Sequence, residues 1–327
     1  LDLGETQTLF EGLMGETPPE LKAALLTALR AKGETETEIL GMARQMRRHA
    51  VALPEEMRSA IDTCGTGGDG SRSLNLSTLS ALVLSSMGIP VVKHGNRSVS
   101  SSCGSADLLE GLGLPLDLKP EEAAALFRET QFAFLFAPHY HPAMKAVAPV
   151  RKALQIRTIF NFLGPLSNPA QVLYQVLGVP APERVRPFAG VLKSLGLTSA
   201  AVVHGEPALD EISPCGATRV AYFLEGGPVI EESWTPADLG IEAISPSRLT
   251  VADVTESVRR AREILAGKGT PEDRAAVAVN AAAGIWIFGK SKKMKDAVRD
   301  VENHLSSGKA GAHFERIVRA AQKLKSK

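Results

Sequence analysis

Four glycines fall within six positions in Asp62-Thr63-Cys64-Gly65-Thr66-Gly67-Gly68-Asp69-Gly70. Glycine lets backbone approach a ligand closely, and successive N–H groups turned inward form a nest for an anion. No Lys-Ser/Thr follows, so this is not a Walker loop, and the spacing differs from the dinucleotide fingerprint. A glycine-rich turn alone is more often only a tight turn. The next segment changes that weighing: Ser73-Leu74-Asn75-Leu76-Ser77-Thr78 puts four hydroxyl or amide side chains at the mouth of a helix expected from about Ser77 to Met87. With Ser77 and Thr78 as caps, a helix N-terminus offers N–H groups and hydroxyls to a phosphate.

A second loop, Lys93-His94-Gly95-Asn96-Arg97-Ser98-Val99-Ser100-Ser101-Ser102, leaves the β-type run Ile89–Val92. It carries two fixed cations, a histidine, an amide and four hydroxyls, a density suited to a polyanion. The adjacent carboxylates Asp210-Glu211 would be solvated by themselves. Beside two phosphate-type loops they become candidate Mg²⁺ ligands, because Mg²⁺ takes one or two carboxylates together with substrate phosphates and waters. Arg151 is a candidate fork for a carboxylate. His139 and His141 lack a third N/S ligand nearby, which speaks against zinc. Cys64, Cys103 and Cys215 have no C-x-x-C spacing and are expected to be small buried or loop residues.

These residues need elements to position them. The first sixty residues read as helices only. Thr17-Pro18-Pro19-Glu20 predicts a start with Thr17 as N-cap, Gly33 a stop, and Thr35-x-x-Glu38 a second start. No strand-like run appears before Ile61. Strand-like runs then follow at Phe132–Phe136, Leu173–Val179, Ala200–Val203, Arg219–Phe223 and Val229–Ile230, with helices between several of them. That alternation predicts an α/β domain with a central, mostly parallel sheet. Thr270-Pro271-Glu272-Asp273 opens a helix apolar nearly all round, hence buried. His141 to Leu163 is helical without a strand and is expected to pack on the N-terminal helices. The small all-α domain would then be discontinuous, residues 1–60 and 140–168, against a large α/β domain of 61–139 and 169–327. The Lys-rich tail Lys323–Lys327 is expected to fray.

Composition bounds the function classes. The chain has 327 residues, 44% hydrophobic and 22% charged, an ordinary globular mixture. Lys and Arg total 37 against 36 Asp and Glu, a net charge of +1, so an anion site must be local. Neither the charge nor the 5% aromatic content suits nucleic-acid binding. The apolar stretches are too short to span a bilayer, the N-terminal residues do not read as a signal peptide, and the sparse cysteines suit a reducing compartment. The expectation is a cytoplasmic protein without membrane or nucleic-acid partners.

Taken in order, GTGGD (65–69), N-x-S-T (75–78), KHGNR-x-x-SS (93–101), CGSAD-x-LE-x-LG (103–113), HPAMK…PVR (141–151), RTIFN-x-LGPL (157–166) and LDEIS (209–213) resemble the anthranilate phosphoribosyltransferases. The likeness runs from about residue 10 to beyond 290. One departure is Ala208, where the family usually has glycine. The resemblance implies transfer of the phosphoribosyl group of 5-phosphoribosyl-1-pyrophosphate (PRPP) to anthranilate. It also implies a small α domain beside an α/β domain, with homodimers formed through the small domain. PRPP would be held by Gly65, Gly68, Asp69, Ser73, Asn75, Leu76, Ser77, Thr78, Lys93, His94, Gly95, Asn96, Arg97, Ser98, Val99, Ser100, Ser101 and Ser105. Mg²⁺ would be held by Ser77, Asp210 and Glu211, and anthranilate by Gly65, His94, Asn96 and Arg151. No catalytic base is implied. A pyrimidine-nucleoside phosphorylase of the same fold is the nearest rival. It would need no Asp-Glu metal pair, so the LDEIS segment and the pairing of GTGGD with N-x-S-T argue against it. A nucleic-acid-binding relative of that fold would want a basic stripe.

Overall fold

The computed structural model describes residues 1–67, 70–98 and 103–326. Three helices come first: α1 (Leu3–Met14), α2 (Pro19–Lys32) and α3 (Glu36–Arg48). Thr35 caps α3 in a reciprocal box with Glu38, as its spacing predicts. Thr17 does not cap α2: the N-cap is Pro18, which has no side-chain acceptor, and Pro19 occupies the first turn. The second proline fixes the entry by its φ alone, and the hydroxyl one residue earlier is out of register.

The chain then enters the sheet. β1 (Ile61–Gly65) leads through α4 (Leu76–Ser86) to β2 (Val91–Gly95). Next come α5 (Ser105–Gly111), α6 (Pro120–Thr130) and β3 (Phe132–Phe136). A short α7 (Ala137–Tyr140) follows β3, and the inserted stretch supplies α8 (Ala148–Leu154) and α9 (Phe160–Leu166) before β4 (Tyr174–Gly178). α10 (Val185–Ser194) connects to β5 (Ser199–Gly205), followed by β6 (Thr218–Phe223) and β7 (Ile230–Trp234). Five helices finish the chain: α11 (Pro236–Leu239), α12 (Val254–Leu265), α13 (Pro271–Ile287), α14 (Met294–Ser306) and α15 (Lys309–Lys325). The last runs through most of the lysine tail, where Lys325 pairs with Asp117 instead of fraying.

The seven strands lie in the order β3-β2-β1-β4-β5-β6-β7. β3 through β5 run parallel, and β6 and β7 are antiparallel additions. Side-chain alternation divides the apolar residues between two faces. Val176, Ala201 and Val203 join the cluster containing α4 and α13, while Leu177, Ala200 and Val202 join the one containing α10. Fully burying the Val and Leu side chains among these is worth roughly 1.5–3 kcal/mol each. The second cluster also takes Phe10, Leu26 and Met42 from the N-terminal helices and Val147, Val150 and Ile159 from the inserted stretch. α2 packs on α8 and α3 on α9.

β1 was not foreseen as a strand, because Asp62 and Gly65 are poor strand formers. Tertiary pairing overrides that preference: β1 is flanked by β2 and β4, and all of Ile61–Cys64 is buried. Strand order reverses at β1, since β2 lies on one side and β4 on the other. In open parallel sheets the crevice outside the carboxyl ends at such a point is where ligands bind.

Candidate active site

Four of the parallel strands end in glycine: Gly65, Gly95, Gly178 and Gly205. Each is crowded by something crossing the strand end. An added Cβ at Gly178 would overlap the Asp210 carbonyl, and one at Gly65 the Asp210 carboxylate. At Gly205 it would come within 2.6 Å of the Glu211 carbonyl, and at Gly95 it would overlap Ser105 Oγ. The Leu209–Ser213 segment therefore lies directly across the carboxyl ends of β1, β4 and β5. Three ties hold it there. Leu209 exchanges both backbone hydrogen bonds with Gly205. Ser213 N–H donates to Thr218 Oγ1 at 2.9 Å. Asn280 of α13 accepts from Ile212 N–H at 2.8 Å and donates to the Ile212 carbonyl at 3.0 Å. Ala208 sits exposed in the preceding turn, outside the left-handed region, so its Cβ costs nothing there.

The two carboxylates face the glycine loop and α4. Asp210 Oδ2 accepts from Gly67 N–H at 2.7 Å, and Glu211 Oε1 accepts from Ser77 N–H at 3.0 Å. A carboxylate at the positive end of a helix is well placed. This corrects the capping expectation. Asn75 is the N-cap of α4 and gives no side-chain cap bond, while Ser77 and Thr78 lie within the first turn. Ser77 Oγ lies 3.4 Å from Lys93 Nζ, and Thr78 Oγ1 is buried without a partner. Ser77→Ala should consequently leave stability within about 0.5 kcal/mol of the parent, which a chemical melt checks.

Beneath the strand ends lies a buried polar layer. Lys93 is 1% exposed, and its ammonium donates to the Thr63 carbonyl. Asp62 is fully buried, accepts from Asn168 Nδ2 at 2.8 Å, and burial pushes its carboxyl up to about 6. Asn168 also donates to the Val92 carbonyl and thereby ties the returning end of the inserted stretch to β1 and β2. His94 and His141 pack edge to face at 5.1 Å, and the Nε2 of each is buried without a partner. Burial holds them neutral, lowering His94 to about 3 and His141 to about 4. His94 Nδ1 lies 3.2 Å from the Gly164 carbonyl, which leaves Nε2 as an unprotonated acceptor.

The second loop is organised by α5. Asp107 Oδ2 accepts from Ser98 and Gly104 N–H, both at 3.0 Å. Arg97 forks onto Glu110 at 2.6 and 2.9 Å and also reaches Asp107. Asn96 Oδ1 accepts from Arg97 N–H, and its carbonyl accepts from Ser105 Oγ at 3.3 Å. Asn75 joins Cys103 and Ser257, Ser73 bonds Ser71, and Leu76 is core. Arg151 stands on α8 with its guanidinium 5.3 Å from the Phe160 ring centroid, and burial lowers its pKa. Gly68, Asp69, Val99, Ser100 and Ser101 lie outside the described residues. Asp62, Asn168, Asn280, Asp107, Gly178 and Gly205 escaped the sequence reading. The recurrent signal was a glycine closing β1, β2, β4 and β5.

Comparison with known proteins decides the family. A glycosyl transferase family matches in both parts, its helical bundle domain over residues 1–50 and its a/b domain over residues 57–311. The anthranilate phosphoribosyltransferase of Rubrobacter xylanophilus is 43% identical, over 99% of this chain and 94% of that one. That of Aeropyrum pernix is 42% identical, over 97% and 92%. The chain belongs to the anthranilate phosphoribosyltransferase family. The crystal structure of the Thermus thermophilus anthranilate phosphoribosyltransferase superposes with a TM-score of 0.92 at 42% identity, covering 98% of this chain and 96% of that one. The Saccharomyces cerevisiae anthranilate phosphoribosyltransferase, solved in complex with PRPP and Mg, gives 0.85 at 27% identity, over 97% and 93%. These relatives favour the transferase over the phosphorylase and nucleic-acid readings. No helix among the described residues is long and apolar enough to cross a membrane.

Proposed function

We propose that this chain transfers the phosphoribosyl group of PRPP to the amine of anthranilate, giving N-(5-phosphoribosyl)anthranilate and pyrophosphate on the route to tryptophan. The observation that carries this is the Asp210-Glu211 pair seated over the glycine-ended strands beside the start of α4. The Saccharomyces cerevisiae relative, solved once with PRPP and Mg and once with 4-fluoroanthranilate, supports it.

The residues present fit Mg²⁺. Asp210, Glu211 and the Ser77 hydroxyl are hard oxygen donors, and Gly65 leaves the space that the Asp210 carboxylate fills. These three would hold the ion, which would offset negative charge building on the departing pyrophosphate. The glycine loop (Gly65, Gly68, Asp69), the start of α4 (Ser73, Asn75, Leu76, Ser77, Thr78), Lys93 to Ser101 and Ser105 would hold PRPP. Lys93 brings a buried cation to the strand end. Arg97 contributes through the fold of its loop as well as its charge, because Glu110 and Asp107 already engage it.

Anthranilate would sit among Gly65, His94, Asn96 and Arg151. Its aromatic amine is neutral at pH 7 and needs no strong base to become a nucleophile, so no catalytic base is assigned. The bare His94 Nε2 can accept an N–H. Holding two reactants in line saves roughly 7–11 kcal/mol of barrier. Residues 1–60 and 140–168 would act as one unit and 61–139 and 169–327 as the other, so that anthranilate on Arg151 bridges them. Exposed Leu3 and Leu21 on α1 and α2 support a homodimer through the smaller unit, which sedimentation velocity would detect. We place the enzyme in the cytoplasm.

Product formation from anthranilate and PRPP, with and without Mg²⁺, tests the reaction. Arg151→Ala tests the acid site. None of the ion pairs among the described residues occupies this guanidinium. A charged hydrogen bond is worth roughly 1.5–3 kcal/mol, so the Michaelis constant for anthranilate should rise about 10- to 150-fold. That for PRPP should change little. An equal rise in both would remove Arg151 from anthranilate recognition.

A further inference from the structure

Gly67, in the glycine loop, is held through both of its backbone groups. Its N–H donates to Asp210 Oδ2 at 2.7 Å, and its carbonyl accepts from Arg157 Nη2 at 3.0 Å. One residue earlier, Thr66 N–H donates to the Gly178 carbonyl at 3.0 Å. Apolar packing adds little here. Gly67 has φ +69°, and nothing among the described residues lies within 4 Å of where a Cβ would stand. Polar ties therefore place this end of the loop. Those to Gly178 and Asp210 come from the sheet side, and that to Arg157 comes from the inserted stretch.

Arg157 reaches the loop from a firm base. It follows the left-handed residue Gln155 that closes α8 and precedes Thr158, Ile159 and Phe160, all buried. Thr158 N–H donates to Asn161 Oδ1 and Asn161 N–H to the Thr158 carbonyl, both at 2.9 Å. Behind them, buried Arg47 of α3 donates from Nε to the Leu166 carbonyl at 2.7 Å. A side chain on so locked a backbone can fix a loop that has little packing of its own. The planar guanidinium suits this task, because it presents several donors in a fixed fork at the end of a long stem. Phe160, part of the same base, is also the ring beside Arg151. We propose that Arg157 is a positioning residue for the glycine loop. From the stretch that carries Arg151 it fixes the Gly67 carbonyl, and with it the Gly67 N–H on which the Asp210 carboxylate rests. Its consequence for PRPP rests on the transferase reading; the positioning itself does not.

Hydrogen exchange of the ligand-free full chain tests the positioning. Arg157→Met keeps the apolar stem and removes the donors. In this variant the Thr66 and Gly67 amides should exchange about 10-fold faster, the low end for a hydrogen bond to a charged group because this one is open to solvent. Arg157→Lys keeps a donor and should restore part of the protection. The amides of β4 and α9 should exchange as in the parent, and the thermal midpoint should stay close to the parental one. In kinetics with each substrate varied separately, Arg157→Met should raise the Michaelis constant for PRPP about 10-fold and leave that for anthranilate little changed. Parental exchange at Thr66 and Gly67 overturns the proposal; if the Michaelis constant for PRPP rises all the same, Arg157 is a ligand contact instead. Faster exchange throughout the inserted stretch, with a lowered midpoint, overturns it in favour of a general structural role. Freed amides with a parental Michaelis constant for PRPP overturn its bearing on that substrate. If the amides are freed as expected but the unaltered protein forms no product from PRPP and anthranilate, the transferase reading fails and the positioning stands.

Discussion

Asp210→Asn combined with Glu211→Gln should lower kcat/KM for PRPP on the order of 10²- to 10³-fold. A metal at a developing charge is worth several kcal/mol, and each 1.36 kcal/mol is tenfold in rate. The choice of amides matters. Asp210 accepts from Gly67 N–H and Glu211 from Ser77 N–H, and an amide oxygen can keep both bonds. The double variant therefore removes charge and leaves the ties between the Leu209–Ser213 segment, the glycine loop and α4. Its thermal midpoint should stay close to that of the parent, and excess Mg²⁺ should restore part of the activity. The competing view is that the carboxylates only pin two loops together. In that case the amide variant would keep full turnover across a Mg²⁺ titration, whereas the double alanine variant would lose stability. Measuring both variants by steady-state kinetics and by melting separates the two.

The loops that carry charge were legible in the sequence because hydroxyls, cations and glycines gathered in short windows announce an anion. Asp210-Glu211 gained meaning only from that company. The sheet was largely legible too: Phe132–Phe136 reads as a strand and is one over those same residues, because apolar residues fill it end to end. β1 was not, since its sequence looks like a turn and becomes a strand only between two neighbours. Asp62 and Asn168 were hidden for a related reason. A buried carboxylate and the amide that meets it lie 106 positions apart, and no local pattern links them. Asn280 was concealed in an otherwise apolar helix, where a single amide reads as noise until the Leu209–Ser213 segment is seen resting on it. Ser77 was misjudged because a hydroxyl near a helix start usually caps it, whereas here Glu211, distant in sequence, takes the N–H.

Gly178→Ala should have the largest effect of any glycine-to-alanine exchange among the described residues. The obstacle is the backbone carbonyl of Asp210, which cannot rotate away. Gly178 is itself locked, being paired with Gly65 and Val203 in the middle of the sheet, with its own carbonyl accepting from Thr66 N–H at 3.0 Å. Either the strand or the Leu209–Ser213 segment must shift. Overpacking of this kind costs roughly 1–3 kcal/mol in stability. The segment is the looser of the two, so Asp210 and Glu211 should move, and activity should fall at least as far as in the amide double variant. Gly65→Ala provides a graded comparison. There the added methyl group meets the Asp210 carboxylate, the movable end of a side chain, so the stability loss should be smaller while activity still drops. Gly12→Ala is the control of opposite sign. It lies inside α1, and an added Cβ would make only an ordinary 3.6 Å contact with Thr17. Relief of backbone entropy should then raise stability by about 0.5–1 kcal/mol. Denaturant melts and PRPP kinetics on the three variants give the ordering. If Gly178→Ala melts like the parent and turns over at the parental rate, the close seating of Asp210 on β4 does not set the working position of the two carboxylates.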